Sequence, residues 1–294
     1  MRLLIAGWQG QLARALVELA PGHPDIEALA IGRPALDLCE PASITRAMTD
    51  FRPDVIINTA AYTAVDKAET EPDAAYALNR DGARLLAEAA HRRGAAIIHV
   101  STDYVFDGSK PAPYVEDDPT APLNVYGRSK LEGELAVRAA NPRHAIVRTA
   151  WVHSPGGANF VRTMLRLASE RSSLRVVDDQ IGSPTYAPHL AIAIIALAGA
   201  IAARDTADQC WGTYHAAGTG EVSWCGLARE VFRLSAARGG PSAEVEAITT
   251  ADYPTPARRP ANSRLDCSRL ANQFGIVMPP WQAGVAEGVA RLVK

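Results

Sequence analysis

Four short apolar runs recur through the first hundred residues: Leu3–Ala6, Ala28–Ile31, the interior of Asp54–Asn58, and Ala96–Val100. Each has the length of a strand, and apolar residues at consecutive positions fit a strand buried on both faces. Between the runs the spacing turns helical: from the first glycine turn through Ala20, over Pro41–Phe51, and from about Asp73 to Arg93. Strands alternating with helices in this order imply an α/β protein, a Rossmann-like doubly wound parallel sheet. Such sheets bind ligands outside the carboxyl ends of their strands, so the residues that follow each apolar run are the first candidates for a site.

After the first run comes Gly7-Trp8-Gln9-Gly10-Gln11-Leu12-Ala13, opening a helix. Strand, glycine turn and helix together form a dinucleotide cradle. Gly7 allows the tight turn, Gly10 admits the pyrophosphate to the backbone, and Ala13 permits close helix–strand packing in a G-x-x-G-x-x-A spacing. Gly7, Gln9, Gly10, Gln11 and Leu12 are therefore candidate cofactor-binding residues. The second run ends at Gly32-Arg33. An acidic residue there would bind the ribose hydroxyls of NAD, whereas Arg33 either pairs with a 2′-phosphate or is an exposed loop arginine. The first reading favours NADPH, with NADH also accepted, and sets Asp37 and Leu38 beside the adenine. The third run leads into Ala60-Ala61-Tyr62-Thr63, small or polar residues at a strand's carboxyl end, counted with the same cofactor site.

The fourth run delivers Ser101-Thr102-Asp103-Tyr104 to that edge, where a hydroxyl can hold a carbonyl oxygen. Next come Tyr126-Gly127-Arg128-Ser129-Lys130, just after a turn-prone stretch holding Pro119, Pro122 and Asn124. Tyr126 and Lys130 share a helix face. A cation near the phenol favours its ionised form and makes it a usable acid or base near neutrality.

These stretches resemble the extended short-chain dehydrogenases/reductases, whose reactive set is a Ser or Thr, a Tyr, and a Lys four residues later. Within that superfamily the chain resembles the dTDP-4-dehydrorhamnose reductase family. The resemblance rests on Ala64–Glu69, Ser101–Phe106, Ala121–Gly127, Arg148–Val152, Asp179–Thr185 and Pro256–Ser263, in the family's order. It implies reduction of the C4 ketone of a dTDP-4-dehydro sugar with NAD(P)H, the last step of dTDP-L-rhamnose synthesis. Tyr126 would be proton donor, Lys130 its helper and a ribose ligand, and Thr102 the holder of the carbonyl oxygen. Asp103, Tyr104 and Trp151 match sugar-contact positions, although Trp151 also suits a core aromatic. Arg258 and Arg259 suit a diphosphate, with the choice between them open. Some members are described as magnesium-bridged dimers using an acidic residue in the first helix. Arg14 and Ala15 stand there, which makes both Mg2+ and that dimer doubtful, and monomer and homodimer both stay open. A dehydratase of the same fold reads Thr-Asp-Glu, and Tyr104 in place of the Glu disfavours elimination. An epimerase, another sugar-nucleotide reductase, or a non-catalytic subunit like the accessory subunit of methionine adenosyltransferase is the alternative.

From Val152 the pattern loosens: a helix over 159–168, a strand over 174–177, an apolar helix over 189–204, a short strand over 213–217, and helices over 223–237 and from Trp281. The expected division is a cofactor domain over 1–150 and a substrate lobe over 151–294, interleaved with the sheet. Charge is nearly balanced, 30 Lys+Arg against 32 Asp+Glu, which argues against an electrostatic grip on nucleic acid or an anionic membrane. Cys39, Cys210, Cys225 and Cys267 are widely separated, as expected of thiols in a cytoplasmic protein without a secretion signal. Asp66 and Glu69 are expected to be solvated or paired, with no protein-built metal site.

Overall fold

The computed structural model describes residues 1–293. Strands β1 (Arg2–Ala6), β2 (Glu27–Ile31), β3 (Val55–Asn58), β4 (Ala96–Thr102) and β5 (His144–Thr149) alternate with helices α1 (Gln11–Leu19), α2 (Pro41–Phe51), α3 (Val65–Ala68), α4 (Pro72–Tyr76), α5 (Ala83–Arg93) and α6 (Val125–Ala140). Then follow β6 (Val152–His153), α7 (Phe160–Ala168), β7 (Ser173–Val177), β8 (Ile181–Gly182), β9 (Thr185–Tyr186), α8 (Ala187–Ile201) and β10 (Gly212–His215). The chain ends with β11 (Val222–Ser223), α9 (Trp224–Ala236), β12 (Glu244–Ile248), β13 (Asn262–Ser263), α10 (Ser268–Phe274) and α11 (Trp281–Leu292).

The main sheet has the order β10-β5-β4-β3-β1-β2, with every pair parallel. Its apolar runs are continuous because both faces are covered. Leu3, Ile5, Val55 and Ile57 point into a core with Leu12 and Leu16 of α1 and Leu190 and Ile194 of α8. Leu4, Ala6 and Ile56 point the other way, against Ile44 and Met48 of α2 and Leu86 and Ala90 of α5. The strand order reverses between β1 and β3, and a crevice at their carboxyl ends is the expected ligand position.

The second half builds a smaller core from α7, α9, α11 and the parallel pair β7–β12. Several features depart from the sequence reading, among them β5, since no strand was expected over 144–149. The strand expected over 213–217 is β10, which extends the main sheet beside β5. The helix expected over 73–93 contains a π-helical turn, Ala77–Gly82. Strand β12 was not expected at all: its residues are mostly exposed and carry no apolar run. Among the described residues, no helix is long and apolar enough to cross a membrane.

Candidate active site

Gly7 has φ +102°, and a Cβ there would lie 2.7 Å from Thr59 Oγ1. Only glycine lets the β1–α1 turn approach the end of β3 so closely. Gly10 precedes α1 with open space around its Cα and no side chain capping the helix. The first-turn amides of α1 are thus left for an anionic ligand. The turn thus leaves room for an anionic group beside Gly7 and Gly10.

The neighbouring candidates contribute differently. Gln9 is exposed. Gln11 turns its side chain to the second half of the chain: Nε2 donates to the Val152 carbonyl at 3.3 Å, and Oε1 accepts from Ser154 and Asn159, each at 2.9 Å. Leu12 and Leu38 bury their side chains in the two cores. For these three, a cofactor would meet backbone rather than side chain. Arg33 is exposed at the end of β2, and Asp37 accepts the Cys39 amide at 3.0 Å. Ala60, Ala61 and Tyr62 lie half-buried after β3, with Thr63 exposed. The Tyr62 backbone is clamped by Asn79, whose Oδ1 accepts its N–H at 2.8 Å and whose Nδ2 donates to its carbonyl at 3.1 Å. The same Nδ2 also donates to Ser129 at 2.9 Å. Asn79 sits in the π-helical turn, which therefore ties the segment after β3 to α6.

Helix α6 starts at Asn124, whose Oδ1 accepts the Gly127 amide at 2.8 Å. A Cβ on Gly127 would overlap the Tyr104 carbonyl oxygen. This glycine is what allows Tyr126 to sit against the turn that follows β4. The Tyr104 and Tyr126 rings meet edge to face with centroids 5.6 Å apart. Thr102 donates to Asp103 Oδ1 at 2.9 Å and accepts the Tyr104 amide at 3.2 Å. Lys130 is 2% exposed and donates to the Val100 carbonyl at 2.7 Å.

The electrostatics differ from the sequence expectation. Tyr126 is raised to about 12, chiefly by burial, with the Thr102 hydroxyl opposing and Asp103 adding to it. Desolvation of the phenolate outweighs the pull of a cation, because Lys130 is turned to the strand carbonyl. Lys130 itself is lowered to about 8 by burial, against the attraction of Glu134. Glu134 is held by Arg148 at 2.7 and 2.9 Å and by Ser101 at 2.5 Å. A phenol that keeps its proton throughout the neutral range is a donor, suited to quenching an alkoxide.

Asp103 is 3% exposed, and its Oδ2 has no hydrogen-bond partner. Burial raises its carboxyl to about 6, while the Ser263 and Thr102 hydroxyls pull the other way. The folded protein therefore holds this proton more tightly than the unfolded chain, and stability is lost as pH rises from about 4 through 6. Asp103→Asn is expected to be more stable than the parent at pH 8 by about 1–2 kcal/mol: roughly 3 from the shift, less the cost of an unpaired amide. Denaturant titrations should show the gain shrink as pH falls through 6 and turn into a loss of about 1–2 kcal/mol below about pH 4. A gain independent of pH would refute the assignment.

A cavity of about 700 Å³ opens from Tyr104 into the second half of the chain, lined by Phe160, Met164, Gln180, Trp224, Tyr253 and Arg259 among others. Of the two arginines, Arg259 faces this space and Arg258 is exposed. Arg259 forms a two-bond pair with Asp66 at 2.7 and 2.9 Å, which holds that carboxyl below its usual range. Glu69 accepts the Val125 amide at 2.7 Å. Both carboxylates singled out by the sequence are thus engaged within the protein. Trp151 has φ +48° and stacks on Trp224 at 3.4 Å, with Gly182 against its indole. Trp224, rather than Trp151, lines the cavity. Sequence reasoning did not find Trp224 or Tyr253, which sit in stretches without a motif, and it used Gln180 only as part of the Asp179–Thr185 resemblance without giving it a role.

A parallel sheet with its glycine cradle at the switch point, and a Thr, Tyr and Lys gathered beside it, define an extended short-chain dehydrogenase/reductase. The chain belongs to the family described as the RmlD substrate-binding domain, whose model it matches over residues 1–294. It is 50% identical over 293 residues to a dTDP-4-dehydrorhamnose reductase of Sinorhizobium fredii, covering 100% of this chain and 97% of the relative. A dTDP-4-dehydrorhamnose reductase from Clostridium acetobutylicum has a solved structure that superposes with TM-score 0.92 at 37% identity, covering 99% of both chains. The Bacillus anthracis enzyme, solved in complex with NADP, gives 0.89 at 37% identity over 98% of both.

Proposed function

We propose that the protein reduces the C4 ketone of dTDP-4-dehydro-L-rhamnose to a hydroxyl with NADPH, the last step of dTDP-L-rhamnose synthesis. The observation that carries this reading is Tyr126, a half-buried phenol raised to about 12, beside Thr102 and one helical turn before Lys130. The cofactor, when bound, supplies the hydride. Gly7, Gly10 and the first-turn amides of α1 would hold its pyrophosphate. Arg33 at the end of β2 would meet the 2′-phosphate, and Ala60–Thr63 would flank the reduced ring's side of the crevice. Thr102 would orient the ketone oxygen, Tyr126 would donate the proton to it, and Lys130 would hold the ribose and return the proton to Tyr126.

In this reading residues 1–150 mainly carry the cofactor and residues 151–294 mainly cover the dTDP-sugar. Tyr104 and Asp103 would lie at the sugar and Arg259 at the diphosphate. The reaction would run in the cytoplasm, where NADPH is at hand. Incubation with dTDP-4-dehydro-L-rhamnose and excess NADPH should oxidise one cofactor for each sugar reduced. Turnover with no net oxidation would instead indicate an epimerase or dehydratase, which recycle their cofactor.

A further inference from the structure

Beneath the site, three polar side chains lie in a row: Asn58 at the end of β3, His99 beside it in register on β4, and Lys130 on α6. The Ala60 amide is 3.2 Å from Asn58 Oδ1, and an N–H needs an oxygen there. The amide's other end, Nδ2, is therefore fixed 3.1 Å from His99 Nδ1. An amide nitrogen only donates, so Nδ1 must be the bare nitrogen of the ring. The imidazole is neutral, since burial first and the Lys130 charge second hold its proton affinity far below the usual range. A neutral ring with a bare Nδ1 carries its hydrogen on Nε2. That atom lies 3.4 Å from Lys130 Nζ.

We propose that Asn58 locks His99 as the Nε2–H tautomer, so that an N–H rather than a lone pair confronts the Lys130 amine, and that His99 is thereby a positioning residue setting how readily this amine is charged. While Lys130 is an ammonium, donor faces donor and its bond goes to the Val100 carbonyl alone. When Lys130 is a free amine, its lone pair accepts the Nε2–H. The lock thus favours the uncharged amine. The other groups around Lys130 are Tyr126 one turn earlier, Glu134 one turn later, and Arg148 of β5, which pairs with Glu134. Glu134 opposes the effect, but its charge is shared with Arg148 and Ser101. Gly133 lets α6 pack closely here, since a Cβ there would overlap the Asn79 carbonyl oxygen. An amine poised in this way can take and release a proton near neutrality, which deepens the role given to Lys130 in the reductase reading.

The test uses full-length protein with 15N-labelled histidine and 13C-labelled lysine, of which the chain has four (Lys67, Lys110, Lys130 and Lys294). In the parent, His99 should report the Nε2–H tautomer, and Lys130 should titrate well below the other lysines. In Asn58→Asp the carboxylate keeps an acceptor for the Ala60 amide and offers another to Nδ1, which reverses the tautomer. Nε2 then accepts from Lys130, whose midpoint should rise by about one unit or more. The same rise in an Asn58→Asp, His99→Phe double variant would assign the shift to the new charge alone and overturn the proposal. A parent His99 in the Nδ1–H form would also overturn it, a measurement that stands even if the variants fail to fold. The alkaline limb of kcat should move with the lysine midpoint. That kinetic arm rests on the reductase reading and the NMR arms do not, so failure of one reading is distinguishable from failure of the other.

Discussion

Tyr126→Phe should lower kcat about a thousandfold, the loss expected for a general acid, and leave NADPH binding unchanged. The substitution removes one oxygen and keeps the ring, which packs edge to face on Tyr104 and among Ala68, Ala75 and Val125. Neither fold nor cofactor cradle has reason to move. Because the phenol is protonated up to about pH 12, the parent's activity should show no alkaline limb from this group in the neutral range; any limb near 8 belongs to Lys130. Stopped-flow measurement of a single turnover, paired with fluorescence titration of NADPH, separates the chemical step from binding. Near-parent turnover would remove Tyr126 from the role of donor. Loss of NADPH binding in step with turnover would mean that the phenol mainly holds the cofactor.

Gly127→Ala should be nearly as damaging although it adds only a methyl group. The new Cβ would overlap the Tyr104 carbonyl oxygen, a backbone atom that cannot swing away. Either α6 or the turn after β4 must retreat, at a cost of about 1–3 kcal/mol or more for overpacking. The retreat carries Tyr126 and Lys130 away from Thr102, and a misplacement of about 1 Å costs on the order of a hundredfold in rate. Gly199→Ala in α8 is the matched control. Nothing lies within 4 Å of its added Cβ, and removing a helical glycine should stabilise the protein by about 0.5–1 kcal/mol. Thermal unfolding and kcat measured on both variants test the distinction. Equal behaviour of the two would mean that α6 is not held by this contact.

How far the molecule can be read from its residues follows the range of the forces involved. Strands β1 to β4 announce themselves because burial on both faces demands consecutive apolar residues, a purely local signature. The turn at Gly7 and the four-residue spacing of Tyr126 and Lys130 are equally local, since each needs only a few adjacent positions. Strand β12 is silent because its residues face solvent, and the fact that selects it is its parallel partner β7, far away in the chain. The π-helical turn is invisible for a similar reason: Asn79 is drawn to Tyr62 and Ser129, on segments remote in sequence. The cavity beyond Tyr104 is assembled from Phe160, Trp224 and Tyr253, which no spacing links. Protonation was the least legible property. A lysine four residues after a tyrosine suggested an acidified phenol, and only the depth of burial reverses that expectation.

The placement of β10 has a consequence for synthesis of the chain. The last strand of the main sheet comes from residues 212–215, and α8, which covers α1 and the undersides of β1 and β3, from residues 187–201. A nascent chain that has emerged only as far as β5 therefore lacks both an edge strand and one of its two apolar coverings. Its strands can associate, but the face carrying Leu3, Ile5, Val55 and Ile57 stays open to water, and to other chains, until some fifty to seventy further residues have left the ribosome. At roughly 5–20 residues per second this exposure lasts for several seconds. Truncation after the fifth strand should therefore leave an aggregating fragment rather than a folded domain, an outcome that light scattering and circular dichroism of residues 1–150 would check.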